Sequence, residues 1–491
     1  MSHNVILNNN VFGRCYRPRK RGEMSNWALK TAVEQLAGLR ARQISAVELL
    51  ELTISRSQKV AKKINPFALE LHDRARKAAI VADEKLDRGE AGALCGLPIT
   101  VKDSQWLAGV RCANGFPTLA GFVPTETCTS IRQLEEAGAV IFAKTTCPEF
   151  CLSGTNNSPL YGHTLNPWNI NKTPGGSSGG AAAAVAAGAG SLSFGSDGGG
   201  SIRIPSAFCG IVGFKPSYGM VIRRPGFTTW DSLVSYGPMC RSVADARLMF
   251  SVITDPKVAL PPATKSSLDS HKLIVSEDLG FAPVNQDIRA IFKTTINKIN
   301  IAGATTIEDN PGLFSSVVTW ATIATNDMWQ HKGNIQSSKY SDPGNIGSYA
   351  NEFIKFGSTF STEDILDAEH HARSVHECYM KMFERHQSNI LITPTLGCEA
   401  FNKSQKFPYN IDGVKITYPW LDWAGLLYDG NLAGMPCCSI PMGLGKNGLP
   451  VSLQVLGAPG HDLEVLNVAE CIEKLIGWGS QIAPDFNRDE I

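Results

Sequence analysis

Two glycine-serine clusters and two lysines set in apolar sequence are the residues of this chain best suited to chemistry. "PGGSSGG" spans 174–180 and "GSDGGGS" spans 195–201, with the alanine-rich "AAAAVAAGAG" between them. A Gly-Ser string alone suggests a flexible linker. Here it runs on into "SIRIPSAFCGIVGF", which has the composition of buried core. Clustered small residues let backbone N–H groups converge on one point. Such a point suits a phosphate or the oxyanion of an acyl-transfer intermediate. The phosphate reading lacks its motifs: there is no GxxxxGK[ST], and no GxGxxG follows a strand with an acid downstream. "GSSGG" at 176–180 matches the GxSxG elbow centred on Ser178. The preceding "NPWNINKTPG" is turn-forming, however, where the elbow needs a strand.

An acyl-transfer site also needs a base. The chain has ten histidines, and His163 in "YGHTLNP" and His461 in "PGHDLE" both fall in loop-like sequence. A histidine triad stays open, because triad members converge only in space. Lys102 ends the apolar run "LPITVK", and Lys215 lies in "GIVGFKPS". Burial penalises the charged form of an amine, which makes a lysine in such a place a candidate base. Each lysine has a plainer alternative as a paired structural charge, with Asp103 adjoining Lys102 and Asp197 in the second cluster. Spacing leaves both readings standing.

The elements that must position these residues read as an α/β alternation. "LPITV" is a short, apolar, β-branched run, as expected of a buried strand. "TSIRQLEEAGAVIFAKTT" predicts a helix, a glycine stop and a second buried strand. "SLSFGSD", "CGIVGFKP", "SNILITPTLG" and "VSLQVLG" are further candidate strands. Ser45 is placed to N-cap a helix, "STEDILDAEHHARSVHECYMKMFERH" predicts a long amphipathic one, and "DLEVLNVAECIEKLIGW" a C-terminal one. There are no repeats and no Pro/Ser-rich linker. The chain of 491 residues therefore reads as one large α/β domain over 26–485. Its catalytic core is expected at about 90–225 and a helical variable region at about 255–385, with 1–25 as a flexible extension.

Basic and acidic residues balance at 46 and 45, which gives no footprint for nucleic acid. No apolar run is long enough to span a bilayer. The thirteen cysteines include no CxxC pair, and the first residues lack the order of a signal peptide. Free thiols in a reducing cytoplasm are the expectation. "RCYRPRKR" near the N-terminus reads as a solvated extension.

The combined stretch "GGSSGGAAAAVAAGAGSLSFGSDGGGSIRIPSAFCGIVGFKPSYG" resembles the amidase signature family. That family joins a GSSGG element to a D-x-G-x-S-[hydrophobic]-R-x-P element at fixed spacing. "GLPITVKD", "KTTCPEF", "YGHTLNPWN" and "NLAGMPCCSIPMGL" are similar to its other segments, so the likeness covers roughly 28–480. The resemblance implies an α/β fold with a central mixed sheet flanked by helices. It implies Ser201 as acyl-enzyme nucleophile, Ser177 as a bridging serine after a cis peptide bond, and Lys102 as base. Ser178 and Lys215 take supporting places. The amides of Gly198, Gly199, Gly200 and Ser201 would form the oxyanion hole, with Asp197 and Arg203 bracing that loop. Neither metal nor cofactor is implied.

Position 198 departs from the family, where a threonine or branched apolar residue is common. Three glycines in a row are expected to widen the space beside the acyl carbonyl, so that Gly198→Thr would penalise bulky acyl groups selectively. Trp420, Trp423 and Tyr428, and likewise Trp230 and Trp329, are candidates either to line an acyl or aryl pocket or to fill an ordinary core. "GGSIRIP" and "GFKPSYG" differ from the amidotransferase forms "GGSIRQP" and "GxKPTYG". The expected activity is a freestanding amidase acting on a small-molecule amide, anilide or carbamate, with no nucleic-acid or membrane partner and a homodimer left open. The alternative is the catalytic subunit of a glutamine-dependent tRNA amidotransferase complex.

Overall fold

Eleven strands form one mixed sheet in the computed structural model of the chain. Residues 26–255, 267–269, 271–336, 347–416, 422–479 and 481–487 are described; the N-terminal stretch 1–25 and Trp420 lie outside them. The strands are β1 (Phe67–Glu70), β2 (Pro98–Lys102), β3 (Val140–Thr145), β4 (Leu192–Asp197), β5 (Val212–Lys215) and β6 (Ser235–Cys240). They continue with β7 (Lys272–Val275), β8 (Thr305–Glu308), β9 (Ile390–Pro394), β10 (Cys437–Leu444) and β11 (Pro450–Gly457). Their order across the sheet is β1-β3-β2-β4-β6-β5-β10-β11-β9-β7-β8.

The centre of this sheet carries the site. β2 runs parallel to β3 on one side and to β4 on the other, with Ile99 opposite Leu192 and Val101 opposite Phe194. Every residue of β2, β3 and β4 is buried, as expected for strands covered on both faces. Parallel neighbours end at the same edge, so Lys102 and the loop after Asp197 emerge side by side. Ligand sites of α/β sheets form at such carboxyl ends.

The alanine run forms the helix Gly179–Ala186, buried along its whole length. Small side chains suit it to this place. A Cβ at Gly180 would lie 2.3 Å from Thr146 Oγ1 and 2.5 Å from the Pro66 carbonyl oxygen. Helix caps follow the sequence signals: Ser45 with Glu48, and Ser361 with Asp364, form capping boxes at Ala46–Ile64 and Thr362–His386. Among the described residues no helix is long and apolar enough to cross a membrane.

One buried acid predicts a measurable pH dependence. Glu473 accepts the Val243 N–H through both carboxylate oxygens at 3.1 Å. Burial raises its pKa from 4.5 to about 7. A raised carboxyl favours folding in its protonated form, so its contribution is full below 4.5 and is lost as pH rises through about 7. Glu473→Gln should therefore flatten the fall in melting temperature across that window, read as the difference between the two Tm–pH curves.

Candidate active site

The Lys102 amine donates to two hydroxyls, Ser177 Oγ at 2.7 Å and Ser196 Oγ at 2.9 Å. The lysine and both serines are buried. Among the described residues no carboxylate forms an ion pair with this amine. Asp103 is spoken for elsewhere: it pairs with Lys144 at 3.4 Å and accepts the Tyr161 hydroxyl at 2.7 Å. The paired-charge alternative thus belongs to Lys144, a buried lysine that sequence reasoning passed over. Lys215 donates to the Pro216 carbonyl and to neither serine.

Two loops meet at these side chains. The Gly176–Ser177 peptide is cis. The next residue, Ser178, stitches the loops together: its N–H donates to the Ser201 carbonyl at 3.1 Å, and its hydroxyl to the Ser196 carbonyl at 3.2 Å. Ser201 follows the triple glycine and borders a cavity of about 30 Å³ with Cys151, Trp230, Trp320, Trp423 and Tyr428. That volume is an order of magnitude below an ordinary ligand pocket. No histidine lines it.

Asp197 and Arg203 brace the second loop from beneath. Both are wholly buried and pair at 3.0 Å. Asp197 also accepts the Gly200 N–H at 2.7 Å and the Asn431 amide at 3.0 Å, while Arg203 donates to the Leu427 carbonyl and to Asn431 Oδ1. Burial by itself would raise the Asp197 pKa, but the Arg203 guanidinium holds it well below the usual carboxylate range. One expectation changes here. The Gly200 N–H is committed to Asp197, so it is not free to serve an oxyanion. The N–H groups of Gly198, Gly199 and Ser201 have no protein acceptor among the described residues.

Trp320, which the sequence did not single out, orients one of those donors. Its indole N–H donates to the Gly198 carbonyl at 2.7 Å, and its ring stacks on Tyr428 with centroids 4.5 Å apart. In a trans peptide the C=O and the next N–H point oppositely. Holding the Gly198 carbonyl therefore aims the Gly199 N–H away from the indole. Asn431 and Ser196 were missed as well. Only Ser196 left a signal, by lying on the strand beside Lys102. Trp329 packs at the edge of the same aromatic core without bordering the cavity.

The triple glycine makes room for protein. A Cβ at Gly198 would lie 2.6 Å from the Trp230 ring, and one at Gly199 would lie 2.5 Å from the Trp320 ring. Selectivity by acyl size is thus not what Gly198→Thr should reveal. The added side chain displaces Trp230 and tilts the loop. kcat/KM should then fall about 100-fold for small and bulky acyl groups alike. A loss confined to bulky substrates in paired kinetic assays would restore the expectation from sequence.

An enzyme acting on carbon–nitrogen bonds, built on one large mixed sheet flanked by helices, is the class to which this fold and its relatives point. A family model described as Amidase matches residues 48–466, and the chain belongs to that family. It is 30% identical over 473 residues to a glutamyl-tRNA(Gln) amidotransferase subunit from Thermosynechococcus vestitus, covering 90% of this chain and 96% of that one. The corresponding subunit from Symbiobacterium thermophilum is 32% identical, with 89% and 94% covered. Among solved structures, a bacterial aryl acylamidase of the amidase signature family superposes with a TM-score of 0.84 at 26% identity, covering 92% of this chain and 97% of that one.

Proposed function

We propose that the chain hydrolyses the acyl–nitrogen bond of a small amide, anilide or carbamate through an acyl-enzyme on Ser201. The observation that carries this reading is the buried Lys102 amine, which bonds to the Ser177 hydroxyl with no carboxylate among the described residues to neutralise it. In the proposed cycle Ser201 Oγ attacks the substrate carbonyl. Its proton passes to Ser177 Oγ, and the Ser177 proton passes to the Lys102 amine. The chain of transfers then runs backwards to protonate the leaving nitrogen, which an amide requires. The N–H groups of Gly198, Gly199 and Ser201 are the proposed donors to the tetrahedral oxyanion. Water repeats the sequence to release the acid.

The aromatic wall of Trp230, Trp320, Trp423 and Tyr428 supports an apolar or aryl substrate. A second reading rests on the two amidotransferase relatives, which match about nine-tenths of this chain. On that reading the chain is the amidase component of a glutamine-dependent transferase. One assay separates the two. The purified chain alone should release amine from a panel of anilides, primary amides and carbamates, and Ser201→Ala should not. A chain silent on the whole panel until a partner protein is added would favour the transferase.

A further inference from the structure

A pair of cysteines stands at the wall of the candidate site with no part in the proton relay. Cys147 and Cys151 are joined by a tight turn in which the Cys151 N–H donates to the Pro148 carbonyl at 3.0 Å. Phe150 and Cys151 both have left-handed backbones, with φ of 51° and 61°, a region that residues other than glycine seldom occupy. The turn brings both thiols to one acceptor, Asn114 Oδ1, which lies 3.9 Å from Cys147 Sγ and 3.2 Å from Cys151 Sγ. Cys147 is buried, whereas Cys151 borders the same cavity as Ser201. A small solute that reaches the serine therefore reaches this thiol.

We infer that Cys147 and Cys151 form an oxidisable dithiol, a site of reversible disulfide formation by hydrogen peroxide or a small organic peroxide. The Cys151 thiolate attacks one peroxide oxygen, the O–O bond breaks, and a sulfenic acid forms as hydroxide or alkoxide leaves and takes up a proton. Cys147 then attacks the Cys151 sulfur, the S–O bond breaks, and the second oxygen departs as water. Two thiols lose two electrons and two protons, and the peroxide gains both. The surroundings divide the two roles. Burial pushes the Cys147 thiol well up. Burial would raise Cys151 too, but the hydrogen bond with Cys147 and the Ser104 and Ser177 hydroxyls act to bring it down. A low-pKa thiol open to a cavity, next to a resolving thiol, is the arrangement of a redox-sensitive pair.

The disulfide would act on the proposed catalytic site, and this consequence rests on the Ser201 reading. Bonded sulfurs stand only about 2 Å apart, so closing the bond draws Cys151 off Asn114 and reshapes the turn. The residues that follow pack on the bridging serine's loop. A Cβ at Gly176 would lie 2.5 Å from the Ser153 carbonyl oxygen and 2.3 Å from that of Thr155. Movement of 151–155 is thus passed to the Gly176–Ser177 peptide, and the oxidised enzyme is the slow one.

The test treats the full chain with hydrogen peroxide and follows two independent readouts. One is the mass of the tryptic peptide Thr145–Lys172, whose only cysteines are these two. The other is the rate at which a fluorophosphonate labels Ser201. The peptide should lose about 2 Da, labelling should slow by at least about 10-fold, and dithiothreitol should reverse both. Cys147→Ser should leave basal labelling unchanged, and peroxide should then add oxygen to Cys151 without the 2 Da loss. The inference is overturned if both thiols of this peptide remain alkylatable while other cysteines oxidise, or if the disulfide forms and labelling continues at its full rate. If Ser201 is not labelled even in the reduced protein, it is the serine-hydrolase reading that fails, and the peptide mass still decides whether the pair is oxidised.

Discussion

Replacing Lys102 by alanine should lower kcat/KM by roughly 10⁴- to 10⁶-fold, and adding Ser177→Ala to that variant should cost almost nothing more. The expectation follows from the geometry of the amine. Lys102 Nζ has Ser177 Oγ at 2.7 Å, and no acid among the described residues competes for it. The neighbouring acid Asp103 is held by Lys144 and Tyr161. In the proposed cycle Ser177 can take the Ser201 proton only by passing on its own, so the two residues form one device. Removing either stops the same transfer, and groups that act as a unit give strongly non-additive losses. What survives is the contribution of binding and the oxyanion donors. A double-mutant comparison on one anilide substrate checks this. Two losses that multiply would mean that Ser177 and Lys102 act separately, and the relay would have to be abandoned.

Ser196 bears on the same measurement. Its hydroxyl accepts the second Lys102 N–H at 2.9 Å, fixing where the nitrogen points. Ser196→Ala removes a positioning contact and leaves every relay atom in place. It should therefore cost far less than Lys102→Ala.

Much of this arrangement was legible in the sequence, for identifiable reasons. "LPITVK" reads as a buried strand ending in lysine because an apolar β-branched run has few other uses, and Lys102 is the last residue of β2. The two glycine-serine clusters stand out because small side chains are a local property, but the roles of Ser177, Ser201 and Lys102 came from the family resemblance, since spacing left both lysine readings standing. What the sequence hid depends on distant pairing. Trp320 reaches Gly198 from a helix more than a hundred positions on. Asn431 reaches Asp197 from further still. No local pattern marks either residue. The choice of Lys144 over Lys102 as partner of Asp103 is likewise decided by how β2 and β3 align.

Some strands were hidden by composition. Ser235–Cys240 reads "SYGPMC", and its proline lies opposite Phe194 near the middle of the sheet. Proline there cannot donate to the ladder and argues against a strand. β10 contains Pro441, next to an irregularity in its pairing with β11. The Gly200 amide is a finer case. Sequence places it among the oxyanion donors, and only the fold discloses that Asp197 has already taken its N–H.

That prior commitment makes Asp197 the position where loss of stability should be greatest. Asp197→Asn leaves the wholly buried Arg203 guanidinium without its counter-charge. Breaking one side of a buried pair costs about 3–5 kcal/mol, because the remaining charge stays desolvated. The new amide nitrogen would also face one of the N–H groups of Gly200, Ile202, Arg203 or Asn431 that the carboxylate now accepts. Denaturant unfolding should show the loss near neutral pH. The sign with pH is fixed: a depressed carboxyl contributes fully above its ordinary value of 3.8 and loses its contribution only as pH falls through its lowered one. Wild type and variant should accordingly converge in strong acid. A second variant separates holding the fold together from aiming the loop. Replacing both partners, as Asp197→Leu with Arg203→Met, removes the buried charges together and should recover much of the lost stability. It should not recover kcat, because nothing would then hold the Gly200 N–H, and only the Trp320 and Ser178 contacts would be left to set the path of Gly198–Ser201. If kcat returns along with stability, Asp197 serves the fold alone, and the loop keeps its shape through the Trp320 and Ser178 contacts.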